Sequence, residues 1–248
     1  MNKRNTITLL LIVVLLGVCD FSAYQIYKIL DDYSSSTNEY KALEEEYVVI
    51  NSTEDEVSPE VFSVDFQGLK ERNSDFQGWL YAEGLEVSLP VMMTDDNDYY
   101  LHRTFEKEYR FAGSLFIDCR FNGFDDPYLI IYGHLMKDGS MFAKIPKYRD
   151  KDHYLQYPTF TIYEEGKNCT YEIFSFFQTD TQSEVYEFYS QSDEIEEQFY
   201  HLKENSYYDT GIEYQPDDHI IILSTCVNTE GEERWVLCAR LSSTEAAH

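Results

Sequence analysis

The chain has 248 residues, of which 43% are hydrophobic and 26% charged, with a net charge of −27. Its 22 Tyr, 16 Phe and 2 Trp exclude a disordered polymer, and its acidity excludes a nucleic-acid binder, which needs a basic surface to meet phosphate. Residues 31–60 and 181–218 together hold −19 of the charge, so the remainder is far closer to neutral.

The N-terminus reads as a membrane element. Lys3 and Arg4 precede an apolar run over residues 7–19, broken only by Thr8 and Gly17 and ended by Asp20. A basic start followed by an apolar stretch directs a chain into a secretion channel with its basic end inside. The run is short for a bilayer, which needs about 20 residues, but continues less cleanly to Leu30. Residues 1–30 are therefore read as an uncleaved signal-anchor. A cleaved signal peptide, with a weak site at Phe21-Ser22-Ala23, and a lipidated Cys19 are the alternatives. All three put the remainder outside the cytoplasm.

Residues 31–60 read as an acidic stalk. Ser34-Ser35-Ser36-Thr37-Asn38 predicts a flexible polar stretch. Tyr40, Leu43, Tyr47 and Ile50 have the spacing of a short amphipathic helix, and residues 51–59 resemble a linker. The body, 61–248, is then one domain. Short runs that are aromatic or β-branched, bounded by Gly, Asp, Asn or Pro, predict strands near Gly78-Trp79-Leu80 and over 85–93, 114–121, 128–134, 160–164, 170–179, 219–225 and 234–241. So many short strands with few helices favour a closed barrel or a sandwich. Helices are predicted at 139–147 and from about Ser192, taken as the N-cap, with Ile195, Phe199 and Leu202 on one face. The second helix lies in the acidic segment 181–218.

Five cysteines are present: Cys19, Cys119, Cys169, Cys226 and Cys238. None forms a CxxC pair, which speaks against zinc, and a chain with an ample core has little need of disulfides. Cys119, Cys169 and Cys238 fall in apolar strands and read as small core residues. Cys226 differs, because it ends the apolar run 219–226 in Ser224-Thr225-Cys226, just before Asn228-Thr229-Glu230-Gly231. That pattern sets the thiol at a sheet rim, where either a core cysteine or a nucleophile is possible. A thiol nucleophile needs a partner that stabilises thiolate and later protonates the leaving group, and histidine suits both tasks. Among six histidines, His134 follows the strand Leu129-Ile130-Ile131-Tyr132 and Gly133. Read alone, it fits a structural histidine as well as a catalytic one. Arg234 opens the next strand, and a hairpin of that length can bring its guanidinium back to the thiol as an oxyanion donor.

At these residues the chain resembles the sortases, cysteine transpeptidases of Gram-positive cell surfaces, and within them class B. Leu223-Ser224-Thr225-Cys226 with Arg234 is similar to the family's TLxTC-plus-arginine signature. Tyr132-Gly133-His134 followed by Asp138-Gly139-Ser140-Met141-Phe142 resembles the class B histidine motif. Gly78-Trp79-Leu80, Pro90-Val91 and Asp96-Asn97-Asp98-Tyr99-Tyr100-Leu101 resemble upstream blocks, as does the helical insertion before the cysteine strand. The resemblance runs from about Phe66 to Leu241.

The resemblance implies a mainly β fold: a closed eight-stranded barrel with a few helices, preceded by an N-terminal membrane helix. It implies surface proteins bearing a C-terminal sorting signal as substrates, with an Asn-Pro or similar start and a cut after Thr. Cys226 would be the nucleophile, His134 the general acid and Arg234 the oxyanion or substrate stabiliser. Asn97, Leu101, Tyr132, Ser224 and Thr225 would line the substrate groove. A peptidoglycan amine would resolve the thioacyl enzyme, and neither cofactor nor metal would be needed. Ile222 departs from the family's first Thr, and Val227 and Asn228 stand where class B members often carry acids; Asn228 can accept a hydrogen bond but supplies no charge. Two rival readings remain: a secreted cysteine peptidase that passes the acyl group to water, and a non-catalytic surface module. The eleven acids of 181–218 are expected either to attract a cationic amine or simply to be solvated.

Overall fold

The computed structural model describes residues 3–51, 61–227 and 231–247. Residues 52–60, which include all of the expected linker 51–59 except Asn51, the residues Asn228, Thr229 and Glu230, and the terminal His248 lie outside the described residues. The chain opens with one helix, α1 (Lys3–Tyr47), 45 residues long. It is long and apolar enough to cross a membrane, and the apolar window is nowhere buried against the protein.

The stretch expected to be flexible, Ser34 to Asn38, is instead helical and continuous with the apolar part. Ser36 is buried and donates its hydroxyl to the Asp32 carbonyl one turn back at 3.0 Å, so its polar group is satisfied inside the helix. The stronger reason is packing. Tyr40 and Leu43 are 6% and 1% exposed, so the predicted apolar stripe is real but lies on the body. Ile50, expected on that stripe, falls instead in β1 (Val48–Asn51), which pairs antiparallel with β2 (Val61–Val64).

The helix α2 (Phe66–Arg72) starts at Asp65, whose side chain accepts from the Gly68 N–H. The barrel strands follow: β3 (Phe76–Ala82), β4 (Val87–Met92), β5 (Leu115–Ile117) and β6 (Tyr128–Tyr132). After a helix α3 (Lys151–Gln156) come β7 (Thr159–Glu164) and β8 (Lys167–Asp180). Then come α4 (Ser192–Glu204), β9 (Ile220–Cys226) and β10 (Glu233–Ala246). All eight expected strands are present, and β3 to β10 close a barrel in the order β10-β8-β7-β3-β4-β5-β6-β9. Closure leaves no unpaired edge in the ring. β4–β5 and β6–β9 pair in parallel and the other neighbours antiparallel. The interior holds Trp79, Ile130, Ile131 and the run Ile220 to Leu223, all essentially inaccessible.

The helix expected over 139–147 does not form. Gly139 and Met141 take positive φ values of 89° and 53°, which no α-helix accommodates. Only a short 3-10 helix, Ile145–Arg149, follows, with Pro146 in its first turn. α4 does form, but Gln191 rather than Ser192 caps it, and the Gln191 N–H is accepted by Glu194 Oε2 at 3.3 Å. Ile195, Phe199 and Leu202 are buried as expected, with Phe199 stacked on Phe174 of β8 at 4.2 Å.

Candidate active site

Three strand ends bring the site together. β9 and β10 pair so that Arg234 stands directly across from Cys226. Side chains of directly opposed residues project from the same face, about 5 Å apart at Cβ. β6 runs parallel to β9 with Tyr132 opposite Ser224, and the Gly133 N–H continues the ladder by donating to the Ser224 carbonyl at 3.2 Å. Two residues beyond that pair, the two segments reach the candidate residues His134 and Cys226. The period of two keeps each on the face of Tyr132 and Ser224. Gly133 is needed here for space: a Cβ would meet Leu115 Cδ2 at 2.5 Å and Phe142 Cδ2 at 2.6 Å.

The His134 ring is held from the loop between β4 and β5. Its Nε2 lies 2.7 Å from the Leu101 carbonyl oxygen. A carbonyl only accepts, so Nε2 donates, and Nδ1 is the remaining ring nitrogen. Phe111 stacks on the imidazole at 5.5 Å with planes 17° apart, and His102 lies against it at 5.8 Å. Burial pushes the His134 pKa down; the Leu101 carbonyl opposes this, and His102 adds to the lowering.

Cys226 is half-buried at the rim, whereas Cys169 and Cys238 are buried. Burial pushes the Cys169 thiol up to about 11 and the Cys238 thiol higher still. The half-buried Cys119 is also raised, by desolvation and by the neighbouring Asp118 carboxylate. These three are poor sources of thiolate. Arg234 Nη1 donates to the carbonyls of Gly231 and Glu233 at 2.9 and 3.0 Å.

All eight residues singled out from the sequence line one groove of about 570 Å³: Cys226, His134, Arg234, Asn97, Leu101, Tyr132, Ser224 and Thr225. That volume suits a short peptide segment. Asn97 Oδ1 accepts from the Cys119 N–H at 2.8 Å, which ties its loop to the end of β5. Ser224 Oγ bonds Tyr186 Oη at 2.9 Å. Among the described residues the buried Thr225 Oγ1 has no hydrogen-bond partner. Among the described residues no group of three or more His, Cys, Asp or Glu could hold a metal ion.

The groove also contains residues that the sequence reading missed. Asp118, 1% exposed, accepts from Arg120 Nε at 2.9 Å and Nη2 at 2.8 Å, and from the Tyr132 hydroxyl at 3.0 Å. Burial alone would raise the Asp118 pKa, but these donors and the Arg120 charge hold it below the ordinary aspartate value. An acid and a base two residues apart within the predicted strand 114–121 was the available signal. Tyr186 had none, because it sits in the acidic insertion without a local pattern. The insertion does border the groove, through Thr181, Gln182, Ser183, Tyr186 and Glu187. Of its eleven acids only Glu187 is on the groove wall, because α4 packs on β8.

Comparison with known proteins agrees with this geometry. A family model for the sortase domain matches residues 80–242. Sortase B of Listeria monocytogenes is 36% identical over 230 residues, covering 90% of this chain and 91% of that protein. The crystal structure of sortase B from Bacillus anthracis in complex with AAEK1 superposes with a TM-score of 0.74 at 27% identity, over 87% of this chain and all of that one. A Staphylococcus aureus sortase B–substrate complex gives a TM-score of 0.67 at 25% identity, over 72% and 84% of the two chains.

Proposed function

Because the chain belongs to the sortase family and is a class B sortase, we propose that this cysteine transpeptidase cleaves a sorting signal after Thr and passes the acyl group to a peptidoglycan amine. The Cys226 thiolate attacks the Thr carbonyl carbon, forming the C–S bond. Negative charge develops on the carbonyl oxygen, where Arg234 meets it. Its Nη1 hydrogens are taken by Gly231 and Glu233, so Nε and Nη2 are the donors for this oxyanion. The C–N bond breaks as the His134 imidazolium gives its proton to the departing amine. Since Nε2–H is engaged by Leu101, that proton sits on Nδ1. The acceptor amine then attacks the thioester, its proton returns to His134, and Cys226 leaves as thiolate. The thioester conserves the acyl energy, so the exchange needs no outside energy source.

Asn97, Leu101, Tyr132, Ser224 and Thr225 hold the sorting signal in this scheme. The partners are surface proteins carrying that signal, and the substrate complex of the Staphylococcus aureus sortase B supports a substrate bound by this fold. Residues 1–30 anchor the enzyme with the N-terminus inside, and the barrel faces the cell wall. Residues 31–60 join the two, and 61–248 form the catalytic unit.

The observation that supports this reading most is the shared register of β6, β9 and β10, with Tyr132 opposite Ser224 and Cys226 opposite Arg234. The test is a library of Asn-Pro-type peptides with Thr at the cut, offered with and without a primary amine, and mass spectrometry of the protein. A thioacyl adduct on Cys226 and an aminated product are expected. An adduct that only water resolves would instead make it a peptidase, and no adduct at all would make it a binding module.

A further inference from the structure

The loop between β4 and β5 carries the partners of His134, and it has almost no ladder of its own: its one internal bridge joins Arg103 to Tyr109. The extramembrane turns of α1 hold it instead. Asp32 Oδ2 accepts the Phe111 N–H at 3.1 Å, and its Oδ1 stands 3.6 Å from the Arg110 guanidinium. Tyr33 stacks on the Phe111 ring at 6.4 Å. Glu39 Oε1 accepts the Glu106 N–H at 3.1 Å. Tyr40, buried, donates its hydroxyl to the Gly113 carbonyl at 2.5 Å and lies 3.0 Å from Ser114 Oγ.

Three of these contacts lead to His134 by two routes. Phe111, pinned by Asp32 and Tyr33, is the ring stacked on the imidazole. Gly113, pinned by Tyr40, packs so closely on the Leu101 carbonyl that a Cβ would stand 2.5 Å from that oxygen. That oxygen is the one that accepts from His134 Nε2. One helix therefore fixes both the face and the edge of the ring.

We infer that the extramembrane turns of α1, through Asp32, Tyr33 and Tyr40, position His134 for proton transfer, so that the helix leading from the membrane is part of the active-site scaffold and not only a tether. These are positioning residues, since none of them lines the groove. The inference rests on the transpeptidase reading for its kinetic consequence alone. Besides His102 on the same loop, the charged or titratable groups that share the groove with His134 are Cys226, Arg234, Asp98, Glu187, Tyr132, Tyr186 and the Asp118–Arg120 pair. None of them lies on α1, so α1 acts on the ring through the loop and not through its own charge.

The test uses the full chain in lipid nanodiscs, as Tyr40→Phe, Asp32→Ala and the control Glu45→Gln on the exposed face of α1. Thermal unfolding checks that each is folded. The acylation rate on Cys226 is measured with the best peptide from the library. The titration of His134 is followed separately by NMR of labelled histidine in a Cys226→Ala background, which needs no substrate. Tyr40→Phe and Asp32→Ala are expected to lower the acylation rate about 10-fold, since small misplacements of a reacting group carry large costs. Both are also expected to move the His134 titration upward as water reaches the ring, with Glu45→Gln matching wild type. An unmoved titration in both folded variants overturns the inference, whatever the rates do. A failure of wild type to acylate, with the titration shifts intact, counts against the transpeptidase reading and leaves the positioning role standing.

Discussion

The groove has two walls held by different means. Cys226 and Arg234 stand opposite each other on β9 and β10, inside a hydrogen-bonded ladder that continues into the barrel core. His134 stands just past the end of β6, and its ring is set by Leu101 and Phe111, which belong to an irregular loop resting on α1. The proposed nucleophile and oxyanion donor are thus built into the sheet, while the proposed acid is held by contacts between distant segments. Rigid placement suits groups that must meet a carbonyl at one geometry. The looser wall suits a group that takes and returns a proton while substrates enter and leave.

Breaking the rigid wall gives the largest effects. Cys226→Ala is expected to remove the acyl-enzyme entirely, read by mass spectrometry, with thermal stability little changed because the thiol is only half-buried. Arg234→Ala is expected to lower the acylation rate more than about 10²-fold through loss of the oxyanion donor. A wild-type rate in that variant would remove the role assigned here.

The softer wall should respond in smaller steps. Gly113→Ala puts a side chain at φ 59° and crowds the Leu101 carbonyl. It is expected to cost about 1–3 kcal/mol in chemical denaturation and to lower acylation about 10-fold. Asp118→Asn leaves Arg120 and Tyr132 with a neutral partner, expected to raise KM several-fold with kcat nearly unchanged. The Asp118 pKa is depressed on folding, so its contribution to stability is fully present above about 3.9, the ordinary aspartate value. It is lost as pH falls through the lower folded value. Acid unfolding of Asp118→Asn should therefore be less steep over that range than for wild type.

Burial gives His134 a testable pH signature. If thiolate and imidazolium are both needed, the competent form carries one proton between the pair, and the rate follows a bell. Because burial depresses the His134 pKa, the acid limb is expected below about 6.5, the ordinary histidine value. A limb above that value would show the ring to be more solvated than its surroundings imply. The smallest effect expected is on salt: with only Glu187 of the insertion's acids on the groove wall, amine capture should fall less than about 3-fold from low to high ionic strength.

Much of the barrel was legible because its strands are short apolar or aromatic runs between turn residues. The run Ile220 to Leu223 reads as a buried strand without any partner in view, and it is one. The helix expected over 139–147 fails because Gly139 and Met141 take positive φ, which the local residue pattern does not reveal. The serines at 34–36 carry a coil preference that the burial of Tyr40 and Leu43 overrides. Asp118 and Tyr186 stayed hidden because a groove wall assembled from separate segments has no period in the chain.

By itself the sequence determined the strands, the apolar N-terminal segment and the identity of Cys226, His134 and Arg234 as candidates, because each is carried by a local run or motif. Tertiary structure alone decided that the three share one groove, since that depends on the parallel pairing of β6 with β9, whose partners are 92 positions apart. It also decided that α1 continues past the apolar stretch onto the body and that its turns brace the loop holding His134. Those contacts join residues more than 60 positions apart, and only burial and hydrogen-bond satisfaction in the folded chain select them over the alternatives that local propensity allows.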